Sequence, residues 1–196
     1  MCNNDKQYEN GELINPDFSE RGYIQVYTGN GKGKTTASLG LTMRALGRGW
    51  NVLIILFTKG GSDYGELYSF RELSPKLAEQ ITIIQAGLDR IVYSANMNDK
   101  DKEAVQQGWE AAKTAAKSGN YQLIILDEAN IAMALGLIDI EDMKEFLSSK
   151  PEDLEVVITG RNAPKEIIEM AHLVSEIKPI KHYWDLGVKA RQGIEF

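Results

Sequence analysis

The chain has 196 residues, 43% of them hydrophobic, enough for one substantial core and short for two domains. Its 22 basic and 28 acidic residues leave a net charge of −6, which argues against broad electrostatic binding to nucleic acid or an anionic membrane. The single cysteine, Cys2, excludes an intrachain disulfide framework or a cysteine metal cluster, and the longest apolar run, residues 52–57, falls far short of the roughly 20 that a membrane helix requires.

Residues 1–21 read as a polar N-terminal arm, either mobile or folded as a lid, and residues 22–196 as one domain. The start carries acids and amides without an apolar centre, so it does not resemble a signal peptide; with one cysteine, this fits a reducing cytoplasm. A strand at 23–27 leads into TGNGKGKTT at 28–36, and a helix over 36–48 leaves it. Further apolar runs follow at 52–57, 81–85, 122–126, 155–159 and 173–177. Near-continuous apolar runs indicate strands covered on both faces. With helical segments between them they predict an α/β fold of the P-loop NTPase (RecA-like) kind, a mostly parallel sheet with helices on both sides. Residues 101–117 form the clearest helix, with Ala104, Val105, Gly108, Ala111, Ala112 and Ala115 as a small-residue face. Asp139 is placed to cap a helix over 140–148, and Asn162 to start another with Pro164 in its first turn. From 179 to 196 no period is evident, and the aromatic and glycine content suits a ligand-facing tail as well as a packed end.

The glycine-rich loop carries the sharpest chemical signal. Gly29, Gly31 and Gly33 allow backbone conformations in which successive N–H groups turn into one concavity, a phosphate cradle. Lys34 then reaches phosphate as a cation, Thr35 offers its hydroxyl to Mg²⁺, and the helix that follows adds the positive end of its dipole. The match to GxxxxGK[ST] is imperfect, because Thr28 stands where the first glycine belongs. The candidate nucleotide contacts are therefore Gly29, Asn30, Gly31, Lys32, Gly33, Lys34, Thr35 and Thr36, with Lys32, Lys34, Arg44, Arg48 and Lys59 gathered around the loop.

The run ending in Asp127 and Glu128 puts two carboxylates at the C-terminal edge of the sheet, where ligands of open α/β sheets bind. They are candidate Mg²⁺ ligands, directly or through water, with Thr35 across the metal; the alternative is that they cap a turn. Arg161 follows a strand at the same edge and is placed either to reach a phosphate or to form a surface ion pair. His172 follows an apolar stripe and reads as structural, whereas His182, opening an aromatic HYW cluster, is either core or the wall of a site for a large flat ligand.

Taken together, VYTGNGKGKTTAS (26–38), RALGRG (44–49), FTKGGSDYGE (57–66), LIILDEANIA (123–132), TGRNAP (159–164) and the closing KHYWDLGVKARQGIEF resemble the P-loop ATP:corrinoid adenosyltransferases. The resemblance covers residues 22–196 and implies transfer of the 5′-deoxyadenosyl group of ATP to Co(I) of a corrinoid, with triphosphate leaving intact, in adenosylcobalamin biosynthesis or salvage. It implies ATP, Mg²⁺ and a corrinoid as ligands, a flavoprotein-type electron donor and a homodimer. By the same resemblance Lys34, Arg44 and Glu128 carry the catalytic role, and Arg161 and His182 join the ligand contacts. The family usually has a Gly-Phe-Thr-Trp segment that presses on the corrin; here residues 87–93 read GLDRIVY, and Tyr93 is the aromatic expected to stand for it. Two other readings keep the same loop: a P-loop ATPase or phosphotransferase, and a non-catalytic carrier of corrinoid or nucleotide.

Overall fold

The computed structural model describes residues 8–9, 12–13 and 21–196 apart from 62 and 91. Of the arm expected over residues 1–21, it describes Arg21 and a short antiparallel ladder of β1 (Tyr8–Glu9) with β2 (Glu12–Leu13). Whether the arm is mobile or a lid lies outside the described residues.

The apolar runs become six parallel strands: β3 (Ile24–Thr28), β4 (Val52–Phe57), β5 (Ile81–Ala86), β6 (Leu123–Asp127), β7 (Glu155–Thr159) and β8 (Leu173–Glu176). They form one sheet in the order β5-β4-β6-β7-β3-β8, an all-parallel arrangement consistent with a P-loop NTPase-like fold. The alternation of Cβ direction divides each central strand between two cores. Leu53, Ile55 and Phe57 of β4 join Val105, Trp109 and Ala112 on one face. Val52, Ile54 and Leu56 meet Ala45, Leu46, Leu67 and Phe70 on the other. Each of these large side chains contributes about 1.5–3 kcal/mol relative to exposure. Central strands buried on both faces are the reason this sheet reads as unbroken apolar runs.

The helices follow their start signals. α1 (Lys34–Leu46) begins directly after Gly33; α2 (Gly65–Arg71) and α3 (Pro75–Ala78) follow β4. α4 (Asp99–Ser118) opens on a capping box in which the Asn98 side chain accepts from the Lys100 and Asp101 N–H groups and the Asp101 carboxylate accepts from Asn98 N–H. It lays its small face on the sheet, where any β-carbon at Gly108 would collide with Ala86. α5 (Ala129–Ala134) follows β6 at once, and α6 (Ile140–Ser149) is capped by Asp139 as expected, its carboxylate accepting from the Glu141 and Asp142 N–H groups at 2.8 and 3.1 Å. A short 3₁₀ helix covers Tyr183–Leu186. No helix among the described residues is long and apolar enough to cross a membrane.

Two local expectations are corrected. The helix placed at Asn162 is α7 (Lys165–Met170), with Pro164 at its N-cap. Asn162 instead takes a left-handed φ of +57°, which turns the chain between β7 and the helix. The run at 173–177 is not covered on both faces. β8 has a neighbour on one side only and all four of its residues are exposed; β5, at the other edge, likewise has Ile81 to Ile84 half-buried and Gln85 exposed, since hydropathy alone carries no information on whether a cover lies over a strand.

Candidate active site

Parallel pairing brings the C-terminal ends of β3, β4, β6 and β7 to one edge, so the loops after them meet in one place. The loop after β3 takes its shape from two glycines with φ values of +93° (Gly29) and +123° (Gly33), which side chains with a β-carbon rarely adopt. The loop is also fastened to β8: Gly31 N–H donates to the Ile177 carbonyl at 2.7 Å, and Ile177 N–H donates to the Thr28 carbonyl at 2.8 Å. The expected run of inward-pointing N–H groups is therefore interrupted at Gly31. Thr28, in place of the first motif glycine, is buried, and its hydroxyl accepts Ala163 N–H at 3.3 Å, which ties the phosphate loop to the TGRNAP segment.

Lys34 is buried and folds back over its own loop, donating to the carbonyls of Gly29 and Gly31, both at 2.7 Å. Burial pushes its ammonium below the ordinary lysine value, with Glu128 pulling upward and Arg161 adding to the depression. One residue on, the Thr35 hydroxyl donates to Asp127 Oδ1 at 3.0 Å, across 92 residues of sequence.

β6 does not neighbour β3; β7 lies between them, and its Thr159 makes the connection. The Thr159 hydroxyl donates to Asp127 Oδ1 at 2.6 Å and accepts Glu128 N–H at 3.0 Å. Lys59, from the loop after β4, donates to Asp127 Oδ2 at 2.6 Å. Fully buried Asp127 thus has three donors. Burial opposes the charge of Lys59, but Asp127 and Glu128 overcome it and hold the ammonium above its ordinary value.

Glu128 is arranged differently. Its backbone is left-handed at φ +59°, and its Oε2 is buried without a hydrogen-bond donor. Gly160, with φ +126°, gives it room: a β-carbon there would sit 3.2 Å from Oε2. Burial holds the Glu128 carboxyl above the usual carboxylate range; Asp127 adds to this while Lys59, Lys34 and Arg161 oppose it. A buried carboxylate oxygen without a donor is costly unless a cation or donor arrives with a ligand. Thr35 and Glu128 both line one cavity and both offer hard oxygens, the kind of donor that Mg²⁺ takes. Among the described residues no group of three or more His, Cys, Asp or Glu could hold a metal by itself, so the remaining oxygens of such an ion would come from phosphate and water.

These groups open into a cavity of about 630 Å³. Of the sequence-derived candidates, Asn30, Gly31, Lys32, Gly33, Lys34, Thr35, Thr36, Glu128, Arg161 and His182 line it. Gly29 and Asp127 lie just behind, through Lys34 and Thr35. Arg44 sits exposed in the last turn of α1 and does not line the cavity. Tyr93 is 60% exposed in the turn before α4, its N–H donating to Asn96 Oδ1, and is also outside it. His182 accepts Trp184 N–H at Nδ1, while His172 accepts Ile24 N–H at 3.0 Å and serves the β3–β8 junction.

The residues that sequence reasoning missed are Thr159 and Tyr64, which lines the cavity, and the contacts that hold the tail against it. Lys32 donates to the Ile194 carbonyl at 2.7 Å and lies 3.5 Å from the Glu195 carboxylate. Glu195 in turn bonds the Tyr183 hydroxyl, and Arg191 stacks over the Tyr183 ring at 4.8 Å. The tail therefore faces the cavity, with Tyr183 and residues 193–196 among its lining. A terminal glycine-aromatic run was the only signal of it in the sequence.

The profile described as ATP:corrinoid adenosyltransferase BtuR/CobO/CobP matches residues 20–196. An uncharacterized protein of Nostoc sp. is 39% identical over 181 residues; these are 88% of this chain but only 48% of that protein, so the chain spans about half its length. The corrinoid adenosyltransferase of Escherichia coli K12 is 35% identical, over 90% of this chain and 87% of its own. The corrinoid adenosyltransferase CobA of Salmonella typhimurium is 34% identical over the same shares.

Proposed function

The chain belongs to the ATP:corrinoid adenosyltransferase family, whose work is adenosylcobalamin biosynthesis, and from that premise we propose that it transfers the 5′-deoxyadenosyl group of ATP to Co(I) of a corrinoid. In this step the Co(I) electron pair forms the Co–C5′ bond as the C5′–O bond breaks. The bonding pair of that C–O bond leaves on triphosphate, and cobalt ends as Co(III). No proton moves, so no general base is required. The protein's tasks are to hold the triphosphate, align C5′ and stabilise charge on the leaving oxygens.

The observation that carries the reading is the pairing of a cationic loop with an unsatisfied carboxylate. Lys34 and Arg161, with the N-terminus of α1, present positive charge to phosphate, while Glu128, whose Oε2 lacks a partner, lines the same cavity as Thr35. When bound there, Mg²⁺ would neutralise phosphate charge. Thr35 and Glu128 are proposed to hold it, with Asp127 acting from behind through Thr35 because three donors already engage it. Lys34 is proposed to exchange its two loop carbonyls for phosphate oxygens. Tyr93 is proposed as the aromatic that meets the lower corrin face, supported by its exposure on the turn before α4. Arg44, a flavoprotein-type electron donor and a homodimer enter by family resemblance.

The test is an anaerobic assay with ATP, Mg²⁺ and chemically reduced cob(I)alamin. Adenosylcobalamin and intact triphosphate in equal amounts are expected. Release of orthophosphate without a Co–C product would make the chain an ATPase, and binding of both substrates without product would make it a carrier.

A further inference from the structure

Lys59 leaves β4 through a strained and crowded crossing. Thr58, just before it, has a left-handed φ of +56°. Gly60 and Gly87 approach so closely that a β-carbon on Gly60 would lie 2.5 Å from the Gly87 carbonyl oxygen, and one on Gly87 would lie 2.5 Å from the Thr58 carbonyl carbon. A non-glycine residue in this backbone region costs about 1–3 kcal/mol and persists only where the surroundings impose it. Its consequence is the aim of Lys59: the ammonium stands 2.6 Å from Asp127 Oδ2 and 3.3 Å from Thr35 Oγ1. The hydroxyl of a phosphate-loop GK[ST] motif and a carboxylate at the end of an apolar strand are the two groups that hold Mg²⁺ in nucleotide-binding P-loop proteins. Here a covalently attached cation occupies the place between them.

Resting on the nucleotide reading above, we propose that Lys59 is a resident cation that keeps free divalent metal out of the Thr35–Asp127–Glu128 pocket, so that metal enters only together with nucleotide triphosphate. Three cations, Lys59, Lys34 and Arg161, act on Glu128, against the single carboxylate of Asp127; Glu66 acts on Lys59 from further away. A free divalent ion would have to displace the Lys59 ammonium and, while that ammonium stays, would lack Asp127 Oδ2 as a ligand. A triphosphate adds negative charge that draws the ion in and supplies the oxygens that it needs. An ordinary structural ion pair would have no such effect on metal entry.

The experiment titrates Mn²⁺ into nucleotide-free protein and follows the free-ion signal by electron paramagnetic resonance. Wild type is expected to bind Mn²⁺ weakly, Lys59→Arg likewise, and Lys59→Met to bind it roughly tenfold tighter or more. Lys59→Gln, which keeps a donor for Asp127 without the charge, gives the same gain should the methionine variant fold poorly. Adding Glu128→Gln to either neutral variant removes the gain. Tight Mn²⁺ binding by nucleotide-free wild type, or no gain in both neutral variants, overturns the proposal. Equilibrium dialysis of wild type against Mn²⁺ with ATP, which counts protein-bound ion above the MnATP common to both chambers, separates the two readings: no excess on the protein side sinks the nucleotide site itself, whereas an excess there with no gain in the variants sinks only the role of Lys59.

Discussion

Adjacent carboxylates at the end of β6 are expected to respond in opposite ways to neutralisation. Asp127→Asn converts one engaged oxygen to an amide nitrogen. Whichever way the amide turns, its protons face either Lys59 or the hydroxyls of Thr35 and Thr159, and only the hydroxyls can turn to accept. The amide carbonyl then faces Lys59, whose ammonium keeps a hydrogen bond and loses its closest countercharge. Breaking a buried pair in this way costs about 3–5 kcal/mol, and the surviving hydrogen bond puts the expectation near the lower end, about 3 kcal/mol. For a chain of this size each kcal/mol lowers Tm by about 2–4 °C, so a fall of about 6–12 °C is expected. Glu128→Gln replaces a carboxylate whose charge burial already disfavours with a neutral amide of the same shape and should leave Tm within about 2 °C of wild type or raise it. Calorimetric melts of the nucleotide-free proteins measure both. Melting of Asp127→Asn with wild type, or an equal fall in Glu128→Gln, would refute the division between a structural Asp127 and a ligand-facing Glu128.

Lys34→Ala should remove a charge-assisted contact to the leaving group and slow adenosyl transfer roughly 100-fold or more, about 3 kcal/mol of barrier, with the fold retained by circular dichroism; near-normal turnover would take the loop out of the mechanism. Glu128→Gln should raise the Mg²⁺ concentration needed for half-maximal activity while leaving corrinoid binding in place, and loss of corrinoid binding instead would assign this carboxylate elsewhere. The Tyr183 hydroxyl, with Arg191 and Lys32, holds the Glu195 carboxyl at about 2, below its ordinary 4.5. A depressed carboxylate stabilises its contacts above about pH 4.5 and loses them as pH falls toward 2, so a carbon-13 titration of Glu195 should show its midpoint near 2 and move toward 4.5 in Tyr183→Phe. Tyr93→Ala, at an exposed turn, should leave Tm nearly unchanged and slow adenosylation from enzyme-bound cob(II)alamin more than from preformed cob(I)alamin; equal loss in both assays would make Tyr93 structural.

Local patterns in the chain determine the strands, the main helices and the phosphate loop. Residues 52–57 and 123–126 are apolar because both faces of a central strand are covered, and Asp139 caps α6 because its carboxylate needs only the two N–H groups that follow it. GKGKTT is legible because glycines, cation and hydroxyl must stand at fixed offsets for one loop to hold phosphate. The edge position of β8, the seating of Gly31 on Ile177, and the choice between a packed and a cavity-lining tail were not legible, and neither was the division of labour between Asp127 and Glu128. Each depends on partners far apart in sequence: Thr35, Lys59 and Thr159 reach Asp127 from 92, 68 and 32 residues away. Those meetings follow from the order β4-β6-β7-β3, which places four strand ends in a row. Strand order is settled by the joint packing of two helical layers against one twisted sheet, an energy shared by the whole chain and written in no single segment of it.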